Sequence, residues 1–351
     1  MKPGDQTRQV FPLAGYNPDD GIKLGLGYRL TRYGFLRNPF TTRHELGGAF
    51  YFATRGLELH YTGEFARVLG RWNLFLDAGY TSPNFTNNFF GFGNETPNPE
   101  DDLGLNYNRV RMRRINLSPA LIWRGPLGGN LKLGTGYEYI TVEETEGRFI
   151  NEFYQDNAVE SSTQYLGVSG RYQYENRDDA AFPTLGMEVS LEAGYKKEVS
   201  GTDKDFGYVV PMLALDHRLM SSGNLVLATQ WKAHFNIGNG YAFFQGAQIG
   251  ASDGPRSYRN QRFTGKTSYY QLTDLRYQFR QMKTSLLPVS LGMFAGFDYG
   301  RVWEPGDVSR RWHTSYGGGF FINGAQSFSA NATLFNGADG MRFSLGLGFK
   351  F

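Results

Sequence analysis

The sequence contains no cysteine, so disulfide bonds and thiolate metal sites are impossible. The five histidines show no metal-ligand spacing, and we expect neither a metal nor another cofactor. No apolar run reaches the ~18 residues of a transmembrane helix. The formal net charge is only +3, which argues against a nucleic-acid partner. No Ser/His/Asp arrangement with supporting spacing is present, so we expect no catalytic residues and no enzyme activity in this chain.

Aromatic residues and glycine are abundant instead: the chain has 22 Tyr, 29 Phe and 46 Gly among 351 residues. Apolar side chains alternate with polar or small ones, as in Ile22–Leu30 and Met341–Phe351. Such segments recur about every twenty residues, and each approaches the ~9–11 residues with which a tilted strand crosses a bilayer. The pattern predicts an all-β fold, a closed antiparallel transmembrane β-barrel of about 16 strands.

The predicted domain organisation is a polar lead-in followed by one barrel. Residues 1–20 contain Pro12 and Pro18 and are expected to be a periplasmic lead-in, with the barrel spanning residues 21–351. Connections alternate between short turns and long loops, and bacterial barrels turn the short ones toward the periplasm. The residues Met1–Asp5 do not form a signal peptide, so we expect upstream segments, including soluble domains, in the natural protein.

One stretch, Gly254–Gly265, is too polar for a membrane strand and lacks helical periodicity. It carries three arginines in seven residues and lies between the alternating segments Tyr241–Gln248 and Tyr270–Gln281. We predict that residues 249–269 form an extracellular loop folded back into the barrel. A passive channel with this stretch as its constriction is an alternative.

The phase of the flanking strands suggests partners for this loop. If Leu275 faces lipid, Asp274 faces the lumen, and the same argument places Asp298 there. A planar guanidinium suits two carboxylates, so we expect Arg256 to be clamped between them. A second basic run, Arg109 to Arg114, lines the pore wall or meets lipopolysaccharide phosphates at the rim.

Three motifs resemble the BamA/TamA superfamily of outer-membrane assembly and translocation barrels. The turn before Met187 reads like the family's D-x-R-D-x-x-x-x-P-T-x-G, with Glu175 in place of the first acid. The segment Pro255–Tyr258 resembles the Val/Ile-Arg-Gly-Phe/Tyr signature of the inward-folded loop, but Pro255 and Ser257 depart from it, which indicates a divergent branch. The motif positions in the turn are Arg177, Asp178, Pro183 and Gly186, and those of the loop lock are Arg256, Tyr258, Asp274 and Asp298.

The C-terminal strand resembles the signal that the barrel-assembly machinery reads. It is amphipathic and ends in an aromatic residue, which suits capture by strand addition. The positions that carry this resemblance are Ser344, Gly346, Phe349 and Phe351.

The resemblance implies a function and a location. It implies a Gram-negative outer-membrane barrel that inserts or translocates proteins, or lipids, through a weak seam between the first strand, Gly21–Thr31, and the last, Met341–Phe351. The implied partners are outer-membrane lipid and lipopolysaccharide, the barrel-assembly machinery, unfolded polypeptides and periplasmic proteins. A further alternative is a barrel that only anchors a fused phosphoesterase or lipase domain.

Overall fold

The computed structural model describes residues 5–34, 37–156, 161–179, 182–201, 204–283, 288–324 and 328–349. Sixteen long strands in this part of the chain form one antiparallel sheet that closes on itself. The all-β, closed-barrel prediction is therefore confirmed. The long strands are β1 Gln6–Asn17, β2 Gly21–Gly34, β3 Arg37–Tyr51, β4 Gly56–Leu69, β5 Trp72–Thr81, β7 Arg109–Arg124, β8 Gly129–Val142, β9 Ser162–Glu175, β10 Leu185–Glu198, β11 Asp205–Arg218, β12 Leu225–Ile237, β15 Thr267–Gln278, β17 Pro288–Trp303, β18 His313–Gly324, β19 Phe328–Gly337 and β20 Gly340–Phe349.

The connections between the long strands contain short strands and short helices. None of the helices in the described ranges is long and apolar enough to cross a membrane. The short strands are β6 Thr86–Asn88, β13 Ala247–Ile249, β14 Phe263–Gly265 and β16 Met282–Lys283, and the helices are α1 Glu100–Leu103, α2 Phe149–Asp156 and a 3-10 turn Phe243–Gln245.

Alternation along each strand separates two environments. On β2, Leu24 and Leu26 point outward and are more than half exposed to the surroundings of the barrel. Arg29 lies on the opposite face and forms a 2.8 Å ion pair with Glu45 of β3 in the lumen. The apolar exterior and charged interior are those expected of a barrel whose outer surface meets hydrocarbon.

The expected lead-in is wrong, because Gln6–Asn17 is the first barrel strand. The seam therefore lies between β1 and β20, and not between Gly21–Thr31 and the last strand. Pro12 and Pro18 led to the prediction of a lead-in, but their positions are compatible with the edge of a strand. Tyr33 N–H donates to the Asp5 carbonyl at 2.9 Å, so odd residues of β1 bond to β2. Pro12 accordingly turns its missing N–H toward β20, where a weakly paired edge tolerates it.

The connections fall at two ends of the barrel. We call the end that carries Gln6 and Phe349 the terminal end and the opposite end the loop end. The three longest connections, residues 82–108, 143–161 and 238–266, all lie at the loop end. Residues 32–34 belong to β2 and residues 37–42 belong to β3, so the polar composition of these residues does not mark a long loop.

An apolar core closes part of the lumen at the loop end. It joins the long connections to the strand tops, and its aromatic rings pack edge to face, as Phe89 does with Phe153 at 5.0 Å. The buried members are Phe89, Val110, Met112, Ile140, Val142, Ile150, Tyr154 and Phe243. The packing of Phe243 here explains why Tyr241–Gln248 is not the barrel strand that its alternation predicted.

Candidate functional site

The connection between β12 and β15 folds into the barrel. Its inward part begins after Ile237, earlier than the predicted 249–269. Strands β13 and β14 pair with each other, which brings the two ends of residues 250–262 together. We call residues 254–265 the arginine loop. Its apolar side chains Tyr258 and Phe263 are buried with Ile249, Tyr270 and Val302.

The arginine loop is fixed to the wall through Arg256. Its Nε and Nη2 donate to the two carboxylate oxygens of Asp298 at 2.9 and 2.6 Å, and Nη2 also donates to Asp274 at 2.6 Å. The backbone N–H of Arg256 adds a 3.0 Å bond to Asp298, whose side chain is fully buried. Burial by itself would lower the pKa of Arg256, but the two carboxylates raise it. The guanidinium therefore stays charged and bound.

Two glycines on the wall make room for this contact. A Cβ at Gly296 would lie 2.6 Å from Arg256 Nη2 and 2.8 Å from Asp274 Oδ1. A Cβ at Gly337 would collide with the hydroxyl of Ser257. Ser257, which replaces the glycine of the BamA/TamA loop signature, does not adopt a positive φ, and its backbone N–H donates to Ser315 at 3.0 Å. A serine therefore fits this position without backbone strain.

Tyr258 serves as an apolar anchor. It is 2 % exposed and packs against Phe263 with ring centroids 5.3 Å apart. Burial raises the pKa of its hydroxyl. His313 stacks on Phe263 at 3.5 Å and completes the packing. Tyr258 thus supports the arginine loop by packing and takes no part in the Arg256 ion pairs.

Arg259 reaches the first hairpin, a contact that sequence reasoning missed. Its Nε donates to Asp19 Oδ1 at 2.9 Å, and Nη2 donates to Asn88 at 2.8 Å. Asp19 lies in the turn between β1 and β2 and also accepts the backbone N–H of Asn260. Arg109 donates to the Asp19 backbone carbonyl.

Asp19 also holds the last strand. Arg342 of β20 lies 2.6 Å from Asp19 Oδ2, and both side chains are buried. Burial favours the protonated carboxyl, but Arg342 and Arg259 together lower the pKa of Asp19. One ionised carboxylate therefore joins β20, the first hairpin and the arginine loop.

The third arginine binds the last hairpin. Arg262 Nε donates to Asp339 at 2.6 Å, in the turn between β19 and β20, and its other nitrogens bond Thr96 at 2.9 and 2.8 Å. Its guanidinium also stacks on Phe90 at 4.5 Å. The arginine loop thus contacts the hairpin on each side of the seam.

Among the sixteen long strands, the seam is the shortest pairing within the described residues. β1 and β20 pair only from Ala14 to Tyr16 with Leu345 to Leu347, three residue pairs within the described ranges, whereas β1 pairs with β2 over its whole length. The prolines explain the limits, because Pro12 lacks an N–H on this side and Pro18 follows the end of the strand.

Backbone hydrogen bonds to Asp178 and a glycine shape the mid-barrel turn. Asp178 accepts backbone bonds from Thr184 and Leu185 at 2.8 and 3.1 Å. Gly186 has φ +136°, and a Cβ there would lie 2.8 Å from Arg177 Cα. Only glycine adopts that conformation freely. Pro183 lies within the turn.

An ion network joins this turn to the arginine loop. Arg177 donates to Glu188 at 2.6 Å and to Asp216 at 2.9 Å. Asp216 lies 3.6 Å from Arg276, which donates to Asp274 at 3.1 Å. Because Asp274 also binds Arg256, a continuous series of ion pairs connects the mid-barrel turn to the arginine loop.

The predicted positions of the C-terminal strand lie apart from the arginine loop contacts. In the C-terminal strand, Gly346 pairs with Gly15 across the seam, Ser344 is half-buried, and the backbone of Phe349 pairs with Phe328. Phe351 lies outside the described residues.

The basic run on β7 divides between buried and outward positions. Arg109 is buried against Asp19, whereas Arg111 pairs with Glu143 at 3.2 Å. Arg113 points outward over Tyr139. In the described ranges no group of three or more acidic or histidine side chains is placed to hold a metal ion.

Comparison with known proteins supports the architecture. Residues 11–351 match the model of a family described as "Family of unknown function (DUF6850)". A search of curated proteins gives no match. The fold is similar to the crystal structure of BamA from Haemophilus ducreyi lacking POTRA domains 1-3, with TM-score 0.70 and 14% identity over 98% of this chain and 70% of that chain.

Two further solved structures share the fold. CdiB from Escherichia coli matches with TM-score 0.60 and 9% identity over 97% of this chain and 63% of that chain. CdiB from Acinetobacter baumannii matches with TM-score 0.56 and 10% identity over 99% of this chain and 60% of that chain. This chain therefore spans less than two thirds of either CdiB chain, and the likeness at these identities is one of fold.

Proposed function

We propose that this chain, which belongs to the family of unknown function DUF6850, is a bacterial outer-membrane barrel that inserts or translocates polypeptides through the seam between β1 and β20. The observation that carries the proposal is the three-pair seam in a wall whose other long strands pair extensively. The apolar exterior and the BamA-like and CdiB-like fold support the membrane location. The BamA-type motifs support the transport role.

The seam between β1 and β20 can open because few backbone hydrogen bonds between these strands must break. A backbone hydrogen bond contributes about 0.5–1.5 kcal/mol net in water, and unpaired backbone groups cost several kcal/mol each in lipid. The part of β1 from Gln6 to Leu13 has no described partner on β20. An incoming extended polypeptide would satisfy those groups by strand addition.

A disulfide across the seam tests this mechanism. The chain has no cysteine, so Gly15→Cys with Gly346→Cys introduces a single pair. These residues face each other in the seam register, and a Cβ at Gly15 meets no atom closer than 3.7 Å. The control variant combines Gly136→Cys with Gly167→Cys. These glycines are also directly opposite each other, but on β8 and β9, which pair along their length.

The readout is the outer-membrane proteome of the source bacterium after chromosomal replacement. We expect the oxidised seam variant to lose the same surface proteins as a deletion strain, with reduction restoring them. The control disulfide should leave the proteome unchanged. A wild-type proteome with the seam fully oxidised would contradict transport through this seam and favour the anchor alternative.

The channel alternative makes a different prediction. The arginine loop occupies the lumen and is held by Arg256, Arg259 and Arg262. A passive pore would show a large, steady ohmic conductance in planar bilayers. We expect the wild-type barrel to show little steady conductance, because the lumen holds the arginine loop and the apolar core of the loop end.

A further inference from the structure

An arginine lies on the outward face of the barrel near the loop end. On β17, Asp298 and Val302 are buried on the lumenal side, so Tyr299, Arg301 and Trp303 point outward. Arg301 is two residues from the end of the strand. A cation facing hydrocarbon is unfavourable, most of all at the bilayer midplane and less so near the interface. Its presence on this face therefore calls for an anionic partner.

The protein itself supplies no such partner in the described part of the chain. The Arg301 guanidinium lies 4.7 Å from the Trp303 ring and 5.6 Å from the Trp312 ring, and Nη2 donates to the Ser309 carbonyl at 2.7 Å. Its Nε is buried without a hydrogen-bond partner. No described carboxylate lies within ion-pair distance. Asp307 acts on Arg301 only through space.

The Asp307 carboxylate is already occupied. It accepts the backbone and side-chain N–H groups of Asn94 at 2.9 and 3.1 Å and the backbone N–H of Ser309 at 2.8 Å. These bonds lower the pKa of Asp307 against the effect of burial. The Arg301 guanidinium is therefore surrounded by two indole rings and the Ser309 carbonyl, and no described carboxylate balances its charge.

An apolar groove adjoins this charge on the outer wall. It has a volume of about 580 Å³ and runs over β12, β15 and β17. Tyr269 and Tyr299 pack against Trp312 at 6.0 and 5.5 Å and form one side of it. The floor carries Ala233 and Thr267, whose small side chains leave space beside the rings. An aromatic-lined groove of this shape fits an acyl chain.

We propose that Arg301, Trp303, Trp312 and the adjoining groove form a binding site for a phosphorylated, acylated lipid of the outer leaflet. The phosphate binds the guanidinium, since arginine offers a planar set of donors suited to phosphate oxygens. An acyl chain lies in the groove between Tyr269 and Phe235. The site rests on the membrane placement proposed above but does not depend on transport through the seam.

The test measures lipid binding to the full chain in detergent by native mass spectrometry. The probes are diphosphoryl lipid A, the same lipid after enzymatic removal of its phosphates, and inorganic phosphate as a competitor. The variants are Arg301→Gln, Arg301→Lys and Trp312→Ala. The matched control is Arg8→Gln, because Arg8 shares the outward face with the exposed Val10 but lies outside the groove. Heat-modifiable mobility in gels verifies that every variant is folded.

The expected results follow from the contacts. Arg301→Gln lowers the affinity for diphosphoryl lipid A about tenfold or more, because a hydrogen bond to a charged group contributes about 1.5–3 kcal/mol and 1.4 kcal/mol is tenfold. Arg301→Lys causes a smaller loss, since it keeps the charge and loses the planar donors. Trp312→Ala weakens both lipids, and Arg8→Gln binds like the wild type.

Three outcomes would overturn the proposal. One is equal affinity of the wild type and Arg301→Gln for diphosphoryl lipid A. Another is equal affinity of the wild type for the dephosphorylated lipid. The third is full displacement of the lipid by inorganic phosphate at a concentration matching that of lipid A, which would make this an anion site without a lipid component. A failure of the seam experiment leaves all three readouts intact.

Discussion

The carboxylate of Asp19 lies 2.6 Å from the guanidinium of Arg342, and this ion pair crosses the seam. The last backbone pair on this side is Tyr16 with Leu345, so continuing the register by three residues places Asp19 opposite Arg342. Arg259 binds the same carboxylate from inside the barrel at 2.9 Å. The seam is therefore weak in backbone pairing but is fastened at the loop end by a buried ionic contact.

Replacing this carboxylate should loosen the seam. Asp19→Asn leaves Arg259 and Arg342 buried without their charge partner, and breaking a buried pair in this way costs about 3–5 kcal/mol. We expect faster amide hydrogen exchange in β1 and β20, with little change in β8 and β9. The control is Asp20→Asn, since burial raises the pKa of Asp20 and the neutral form is tolerated there. Equal exchange rates in Asp19→Asn and the wild type would count against the fastening role.

The same carboxylate predicts a pH dependence. Because Arg342 and Arg259 hold the pKa of Asp19 below its usual 3.8, the folded state binds a proton less readily than the unfolded state. The stabilisation is present above pH 3.8 and is lost as the pH falls through the lower folded pKa. We expect the melting-temperature difference between the wild type and Asp19→Asn to be constant from pH 7 to 5. It should shrink below 3.8, and a difference independent of pH down to 2 would contradict this assignment.

The barrel wall was predictable because the two faces of each strand meet different surroundings. The alternation of apolar and polar residues therefore shows which residues of a strand face the lumen. It correctly indicated that Asp274 and Asp298 point inward. The first strand was missed because Pro12 and Pro18 resemble a linker when their neighbours are unknown. Only the paired structure shows that the missing N–H of Pro12 faces the seam.

The ion-pair partners of Arg259 and Arg262 could not be predicted from the sequence. Asp19 and Asp339 lie in hairpin turns, where no periodicity gives the direction of a side chain. Asp19 is 240 residues away from Arg259 along the chain. Which turn meets which arginine depends on barrel closure, and closure depends on the strand that the sequence reading omitted. The aromatic setting of Arg301 was hidden for a similar reason, since Trp312 belongs to a separate connection.

A methyl group at Gly296 should displace the arginine loop. The added Cβ would lie 2.6 Å from Arg256 Nη2, 2.8 Å from Asp274 Oδ1 and 2.9 Å from the Phe335 ring, so all three contacts must shift. Overpacking of this kind costs about 1–3 kcal/mol. We expect Gly296→Ala to expose the arginine loop to trypsin, with faster cleavage after Arg256 in detergent.

A second glycine provides the comparison for that variant. A Cβ at Gly47 would meet no atom closer than 3.6 Å, so Gly47→Ala should be cleaved at the wild-type rate. Protection of the arginine loop in Gly296→Ala equal to that in Gly47→Ala would show that the ion pairs tolerate the displacement. The close approach at Gly296 would then not be what holds the arginine loop in place.

Asp216 should couple the mid-barrel turn to the arginine loop. It lies between Arg177 and Arg276, and Arg276 continues the network to Asp274. In a double-mutant cycle, Arg177→Gln and Asp274→Asn should show a coupling energy of about 0.5 kcal/mol or more, although the two residues have no ion pair with each other. The unfolding free energy in urea, with the barrel in micelles, provides the measurement.

The decisive comparison repeats this cycle with Asp216→Asn. An amide cannot attract both guanidinium groups, so the coupling should fall toward zero in that background. The matched cycle pairs Arg177→Gln with Asp339→Asn, whose partner Arg262 lies outside the network, and should be additive within about 0.5 kcal/mol. A coupling that survives Asp216→Asn would mean that packing, and not this chain of charges, connects the turn to the arginine loop. The charge chain would then be a by-product of two separately stabilised motifs.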